Sequence, residues 1–179
     1  MTPDPLIIHT ARGCLALLFI ATGLHKSVHP GRFRLVLGAQ RILPEQCIRA
    51  GASVLSLAEL CVGVSLLWPA AARSAALAAA VLLGLYFWVL SLNLARDHRT
   101  ECGCSLSRRK VPVSGAHLIR NACLILVALV AAMADSARQL HWADLIQVLA
   151  AVLSLALLYV SAETLLEQGA SALRLERQQ

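Results

Sequence analysis

Cys102 and Cys104 flank a single glycine, Gly103, in a segment that joins two long apolar runs of the chain. A Cys-Gly-Cys pair can close into a small ring. Disulfide geometry tolerates that ring only with strain, so its oxidised form is comparatively easy to reduce. Glycine is the residue that permits so tight a turn. The reactive species is the thiolate, and Arg99, Arg108, Arg109 and Lys110 favour it where they lie close. A redox-active dithiol is the chemistry that this spacing suggests. Two other readings stand beside it. His98, Cys102 and Cys104 form a partial ligand set, one short of the four that a structural zinc wants, so no metal is expected. Two cysteines at this spacing can also be incidental surface residues.

The elements that carry the pair are set by composition. The chain has 179 residues, 58% of them hydrophobic and only 15% charged, and its mean hydropathy is +0.69. Those values lie outside the range of soluble domains. A bilayer core of about 30 Å needs about 20 apolar residues per helix. The chain therefore supplies about five spans and no separate soluble domain, which predicts an all-α integral membrane helical bundle over 1–179. The spans run from Pro5 to Leu24, Cys47 to Trp68, Ser74 to Ala95, Val113 to Ala134 and Trp142 to Ala162. Four form the core and the fifth packs beside them. The first lacks the basic n-region and small-residue cleavage site of a signal peptide and is expected to stay in the mature protein.

Between the first two spans, Pro30-Gly31 breaks the chain. Phe33, Leu35, Val36, Leu37 and Ile42 then alternate with Arg32, Arg34 and Arg41 until Leu43-Pro44. This predicts a short amphipathic helix lying in the interface plane. Trp68 and Trp142 fall at span ends on one common side, as interfacial anchors do. Small residues in the third span (Ala75, Ala76, Ala78, Ala79, Ala80) predict close helix packing. The formal net charge is +6, but the basic residues border hydrophobic spans, where headgroups account for them. Nucleic-acid binding is not expected.

Spans alternate in direction, so the first and third connecting segments share one membrane face. Cys102 and Cys104 belong to that face, and Cys47 starts the second span there. Cys123 lies about two to three turns into the fourth span. Cys61 is nearer mid-membrane and Cys14 nearer the opposite face. Cys47, Cys61 and Cys123 are candidates for a second, internal thiol pair, against the ordinary alternative that buried cysteines pack as small apolar residues. Glu59 sits in the middle of the second span, where an ionisable group is costly unless it faces the interior and finds a partner. It is a candidate proton relay near Cys61. Its structural alternative is a carboxyl that is protonated, or paired with an arginine or with a polar group such as Asn121. Arg12, Arg49 and Arg120 lie near span ends and are expected to snorkel to headgroups. His9, His25, His29, His117 and His141 show no paired spacing that compels a haem site.

These residues together resemble the methylamine utilisation MauE proteins, within the broader set of DoxX-like membrane proteins. The resemblance is carried by Ala21-Thr22-Gly23-Leu24-His25-Lys26, Leu43-Pro44, Leu57-Ala58-Glu59-Leu60-Cys61-Val62-Gly63, Cys102-Gly103-Cys104 and Arg120-Asn121. It runs from about Ala11 to Ala162, and its specificity lies in the order and spacing of short motifs. It implies a membrane disulfide-exchange protein in the bacterial inner membrane, working with a periplasmic thioredoxin-like partner of the MauD type. That work would serve the maturation of a quinone-cofactor amine dehydrogenase whose small subunit carries many disulfides. The bundle also looks like the vitamin K epoxide reductase and bacterial disulfide-oxidase arrangement, in which thiols at a membrane face pass electrons to a quinone. A quinone is therefore the one cofactor suggested, on architecture alone. Where the family motif often continues into an aromatic residue and glycine, this chain has Ser105-Leu106. Two alternatives to the relay are a non-catalytic membrane scaffold for the thioredoxin-like partner and a DoxX-type quinone-handling protein.

Charge and role disagree about orientation. The face with the cysteine pair carries Lys26, Arg32, Arg34, Arg41, Arg96, Arg99, Arg108, Arg109 and Lys110, with Arg49 close by, whereas the other has little beyond Arg73 and Arg138. The positive-inside rule puts the first face in the cytoplasm. The role implied by the resemblance puts it in the periplasm, and the periplasm is the expectation adopted.

Overall fold

The computed structural model of the chain describes residues 4–40, 44–95, 115–133 and 141–176. All six elements in these stretches are helices: α1 (Pro5–Val28), α2 (Pro30–Ala39), α3 (Glu45–Leu66), α4 (Ala72–Ala95), α5 (Gly115–Ala131) and α6 (Trp142–Glu176). Four are long and apolar enough to cross a membrane: α1, α3, α4 and, in α6, Trp142–Ser161. The fifth apolar helix, α5, has 17 residues in the described stretch, a length of about 26 Å at about 1.5 Å per residue. The helical membrane bundle predicted from hydropathy is thus observed. Its last helix runs well beyond the predicted span end and takes in the polar residues that follow Glu163.

Local chemistry sets the ends. Asp4 accepts a hydrogen bond from the Leu6 amide at 3.0 Å and Pro5 opens α1, a side-chain cap followed by a proline at the first helical position. His29 leaves the helical region (φ −120, ψ 59) because Pro30 disfavours helical backbone in the residue before it. The chain bends there and Pro30 starts α2. At the start of α6, the Asp144 carboxylate accepts from the His141 amide at 2.9 Å.

Around the bundle the helices follow the order α1, α3, α4, α5 and back to α1, while α3 and α5 face each other diagonally without backbone contact. Helix α2 packs on α3, and α6 packs along α1. This is the arrangement of four core helices plus one expected from the sequence. The α1–α3 contact depends on two glycines. A Cβ on Gly23 would meet Leu60 Cγ at 2.9 Å, and one on Gly63 would meet the Ile20 amide nitrogen at 3.0 Å and the Ala16 carbonyl at 3.2 Å. The α4–α5 contact is made of alanines, with Ala75, Ala76 and Ala79 against Ala128, Ala131 and Ala132 in one buried cluster. Small side chains let backbones approach where lipid offers no hydrophobic drive between helices. Trp68 and Trp142 are exposed, as interfacial anchors would be.

Against the expectation for a basic residue near a span end, Arg12 does not snorkel outward. It is buried, its Nε donates to the Ala131 carbonyl at 3.0 Å, and its Nη2 donates to the Met133 carbonyl at 3.4 Å. These are carbonyls at the C-terminal end of α5, which lack an intrahelical partner and carry the negative end of the helix dipole. A guanidinium supplied by α1 satisfies them and ties the two helices at the end of the bundle remote from α2.

Candidate functional site: a buried ion pair among four helices

The buried face of α3 repeats at Ala52, Ser56, Glu59, Gly63 and Leu66, a spacing of three and four residues that draws one stripe along a helix. Glu59 lies on that stripe and therefore points into the bundle. In α1 the stripe runs through Leu15, Phe19, Gly23 and Lys26, and in α4 through Ala79, Leu83, Leu90 and Asn93. Tyr86 falls on the α4 stripe between Leu83 and Leu90. Three helices thus each place one polar side chain at a common level.

There the Glu59 carboxylate is only 1% exposed. Its Oε1 accepts from the Lys26 ammonium at 2.5 Å and from the Tyr86 hydroxyl at 2.5 Å, and Lys26 Nζ lies 3.3 Å from the Tyr86 oxygen. The ammonium also sits 4.7 Å from the centroid of the Phe33 ring, supplied by α2, and 4.9 Å from that of Tyr86. Aromatic faces attract a cation of this kind, more strongly when it is desolvated. Lys26 therefore exchanges its hydration for a carboxylate, a phenol and two rings. The other carboxylate oxygen, Glu59 Oε2, is buried without a hydrogen-bond partner.

The Lys26–Glu59–Tyr86 cluster replaces both partners proposed for Glu59 on sequence grounds. Asn121 is 2% exposed on α5, the helix diagonal to α3, and an arginine is not the partner. Lys26 reads as a loop cation in the sequence because it follows His25 where the first apolar run ends. Its register on the stripe with Phe19 and Gly23 is the signal that marks it as interior. Nearby, the Asn93 side chain donates to Gln40 Oε1, which fastens the end of α2 to the end of α4.

The described cysteines stand apart. Cys47, Cys61 and Cys123 are free thiols exposed on the helix surfaces, and Cys14 is a free thiol of intermediate exposure. Cys47 and Cys61 share α3 fourteen positions apart, about 21 Å of helix, and Cys123 belongs to α5, which α3 does not touch. A disulfide needs Cα atoms within about 7 Å, so the structure does not bring these three together. Cys61 is two residues beyond Glu59 and points outward from the bundle. Cys14 lines an apolar groove of about 600 Å³ between α1, α5 and α6, together with Leu18, Leu124, Leu155 and Tyr159. Cys102 and Cys104 lie outside the described residues. Among the described residues there is no group of three or more metal-binding side chains.

Apolar helices in a closed ring around a buried charge pair define a multi-pass helical membrane protein. The family is given by comparison. The model of the family described as "Methylamine utilisation protein MauE" matches residues 4–134, and the chain belongs to that family. Among its relatives are methylamine utilization proteins MauE of Paracoccus versutus, 40% identical over 164 residues (90% of this chain, 88% of that protein), and of Paracoccus denitrificans, 38% identical over 132 residues (73% and 70%). That of Methylophilus methylotrophus is 27% identical over 180 residues (98% and 94%). No solved structure matches the chain.

Proposed function

We propose that this member of the methylamine utilisation family is a thiol-disulfide relay of the bacterial inner membrane. It exchanges disulfides with a periplasmic thioredoxin-like protein during maturation of a quinone-cofactor amine dehydrogenase. The observation that carries this reading is the Cys102-Gly103-Cys104 motif in the segment between α4 and α5 of a MauE-family chain. In the exchange, the thiolate of one cysteine attacks a sulfur of the partner's disulfide, and the partner's other sulfur leaves as thiolate. The second cysteine of the pair then attacks the mixed disulfide and frees the partner as a dithiol. Two electrons pass from this pair to the partner, and the same steps in reverse oxidise the partner. No outside oxidant enters the exchange itself.

Cys47 supports the reading as a further thiol. It is exposed near the start of α3, at the bundle end where α4 finishes, and it is a candidate for the next transfer. Glu59 is a candidate for handling protons within the bundle, with Lys26 and Tyr86 as its partners.

The test is a pair of variants, Cys102→Ser and Cys104→Ser. Each is expected to abolish client maturation, and one of the two is expected to accumulate a mixed disulfide with the partner that acid quenching and alkylation trap. Full client activity in both variants would rule the relay out. A double variant that still binds the thioredoxin-like protein and still supports maturation would select a scaffold role.

A further inference from the structure

Helix α6 is held to the ring on one side only. It packs on α1 and makes no backbone contact with α5, although α5 also packs on α1. Gly13 sets the α1–α6 approach, since a Cβ there would meet Val152 Cγ2 at 2.8 Å. The space left between α5 and α6 is the apolar groove of about 600 Å³, with α1 along its floor from Leu6 to Ala21. Those fifteen steps of helix make it about 22 Å long. One leaflet of a core of about 30 Å is about 15 Å deep, so the groove is long enough to take an entire acyl chain.

The two ends differ in charge. Arg12 of α1 meets the Ala131 carbonyl at the end of α5, so these two helices are antiparallel. Arg120, eleven residues earlier on α5, therefore lies about 17 Å further toward the α2 end. There its guanidinium carbon is 5.8 Å from the centroid of the Tyr159 ring, and Tyr159 lines the groove. An arginine carries five N–H donors in a fork that matches a phosphate, and attraction to a ring draws on its charge rather than on that whole set. Helix α5 also begins on this side, at Gly115, and turns the positive end of its dipole the same way. At the other end the groove has the uncharged Thr10 and Gln147, and the acidic Asp144 stands about one turn before Gln147 on α6. An anion is favoured at the first end and disfavoured at the second.

We propose that the groove between α5 and α6 holds one acyl chain of an anionic phospholipid, with its phosphate at Arg120. Basic residues between membrane helices are suited to such headgroups. A zwitterionic head brings its own cation to the guanidinium and gains less. The groove lies outside the ring of α1, α3, α4 and α5, so the second chain of the lipid stays in the bilayer. The bound chain fills the space between α5 and α6 and fastens the fifth span to the ring. This inference goes beyond the thiol relay and moves no electrons.

The experiment uses the full chain in nanodiscs of phosphatidylcholine doped with phosphatidylglycerol that carries a photoreactive diazirine midway along one acyl chain. Cross-links are mapped by peptide mass spectrometry. They are expected to saturate and to concentrate on Cys14, Leu18, Leu124 and Leu155, at about ten-fold the yield of the same photoreactive chain on a phosphatidylcholine head. Arg120→Gln should erase that preference, and Ala151→Phe, which fills the groove, should lower the groove cross-links with either head. Phosphatidylglycerol should also raise the Tm of the wild-type chain and leave that of Arg120→Gln unchanged. Equal yields for the two heads in the wild-type chain would overturn the proposal, whether or not a variant folds. So would a preference that survives in Arg120→Gln, or labelling no denser in the groove than on the exposed Val54, Leu57 and Val64 of α3. A groove that takes no cross-links at all would mean that protein covers it, a second copy or another part of this chain, and would equally end the lipid site.

Discussion

Glu59 shows how much one buried charge can organise. Removing one member of a desolvated pair strands the other, at a cost of about 3–5 kcal/mol, whereas replacing both by apolar residues of similar volume is often neutral. Glu59→Ala and Lys26→Ala are each expected to lower stability by that amount. The double variant Lys26→Met/Glu59→Leu should recover most of the loss. Equilibrium unfolding in mixed micelles measures all three, and additive losses in the double variant would contradict a direct pair. Tyr86→Phe removes one donor and keeps the ring over the ammonium, so a smaller loss of about 1–2 kcal/mol is expected in the same assay. The carboxyl in the second span was legible in the sequence as a group needing an interior partner. Its partners were not, because Lys26 follows a histidine at the apparent end of an apolar run and looks like an interfacial flank, and because tyrosine is common at membrane surfaces without any role. Only the register that α1, α3 and α4 share in space puts the three side chains together.

At the level of elements, hydropathy located the membrane-spanning stretches to within a few residues, though not the end of α6, since about 20 apolar residues in a row have few alternatives in a chain this poor in charge. Pro30 and Pro44 marked the limits of the amphipathic stretch that contains α2, because proline disfavours helical backbone in the residue before it. The burial of Arg12 is not legible in the sequence, for a physical reason. A long basic side chain near a span end ordinarily reaches for headgroups, and nothing in the local sequence announces that the end of α5 will present carbonyls to it. Arg12→Leu is expected to leave those carbonyls short of donors and to destabilise the α1–α5 contact by about 1–3 kcal/mol, seen as faster hydrogen exchange in the last turn of α5. Gly63→Ala tests the opposite side of α1. The added methyl meets Ile20 Cγ1 at 2.8 Å and, behind it, backbone at 3.0 and 3.2 Å that cannot swing aside, so α1 and α3 must separate. A loss of about 1–3 kcal/mol is expected, while the same change at Gly31, with nothing within 4 Å, should be tolerated.

For the molecule as a whole, Lys26 no longer belongs among the cations that argue about orientation, since its charge is cancelled inside the bundle. The remaining arginines on that face still favour the cytoplasm under the positive-inside rule, and the relay reading requires the periplasm. Labelling with a membrane-impermeant maleimide decides between them. The expected result is modification of Cys47 and Cys102 in intact spheroplasts. Labelling only in inverted vesicles would place both thiols in the cytoplasm and end the role with a periplasmic partner.

Helix α6 rests along α1 outside the ring, and the matched family region stops at residue 134, before α6 begins. The fifth span is thus held to the ring through its contact with α1. A chain severed between α5 and α6 should reassemble from two separately expressed pieces with the Lys26–Glu59–Tyr86 arrangement intact.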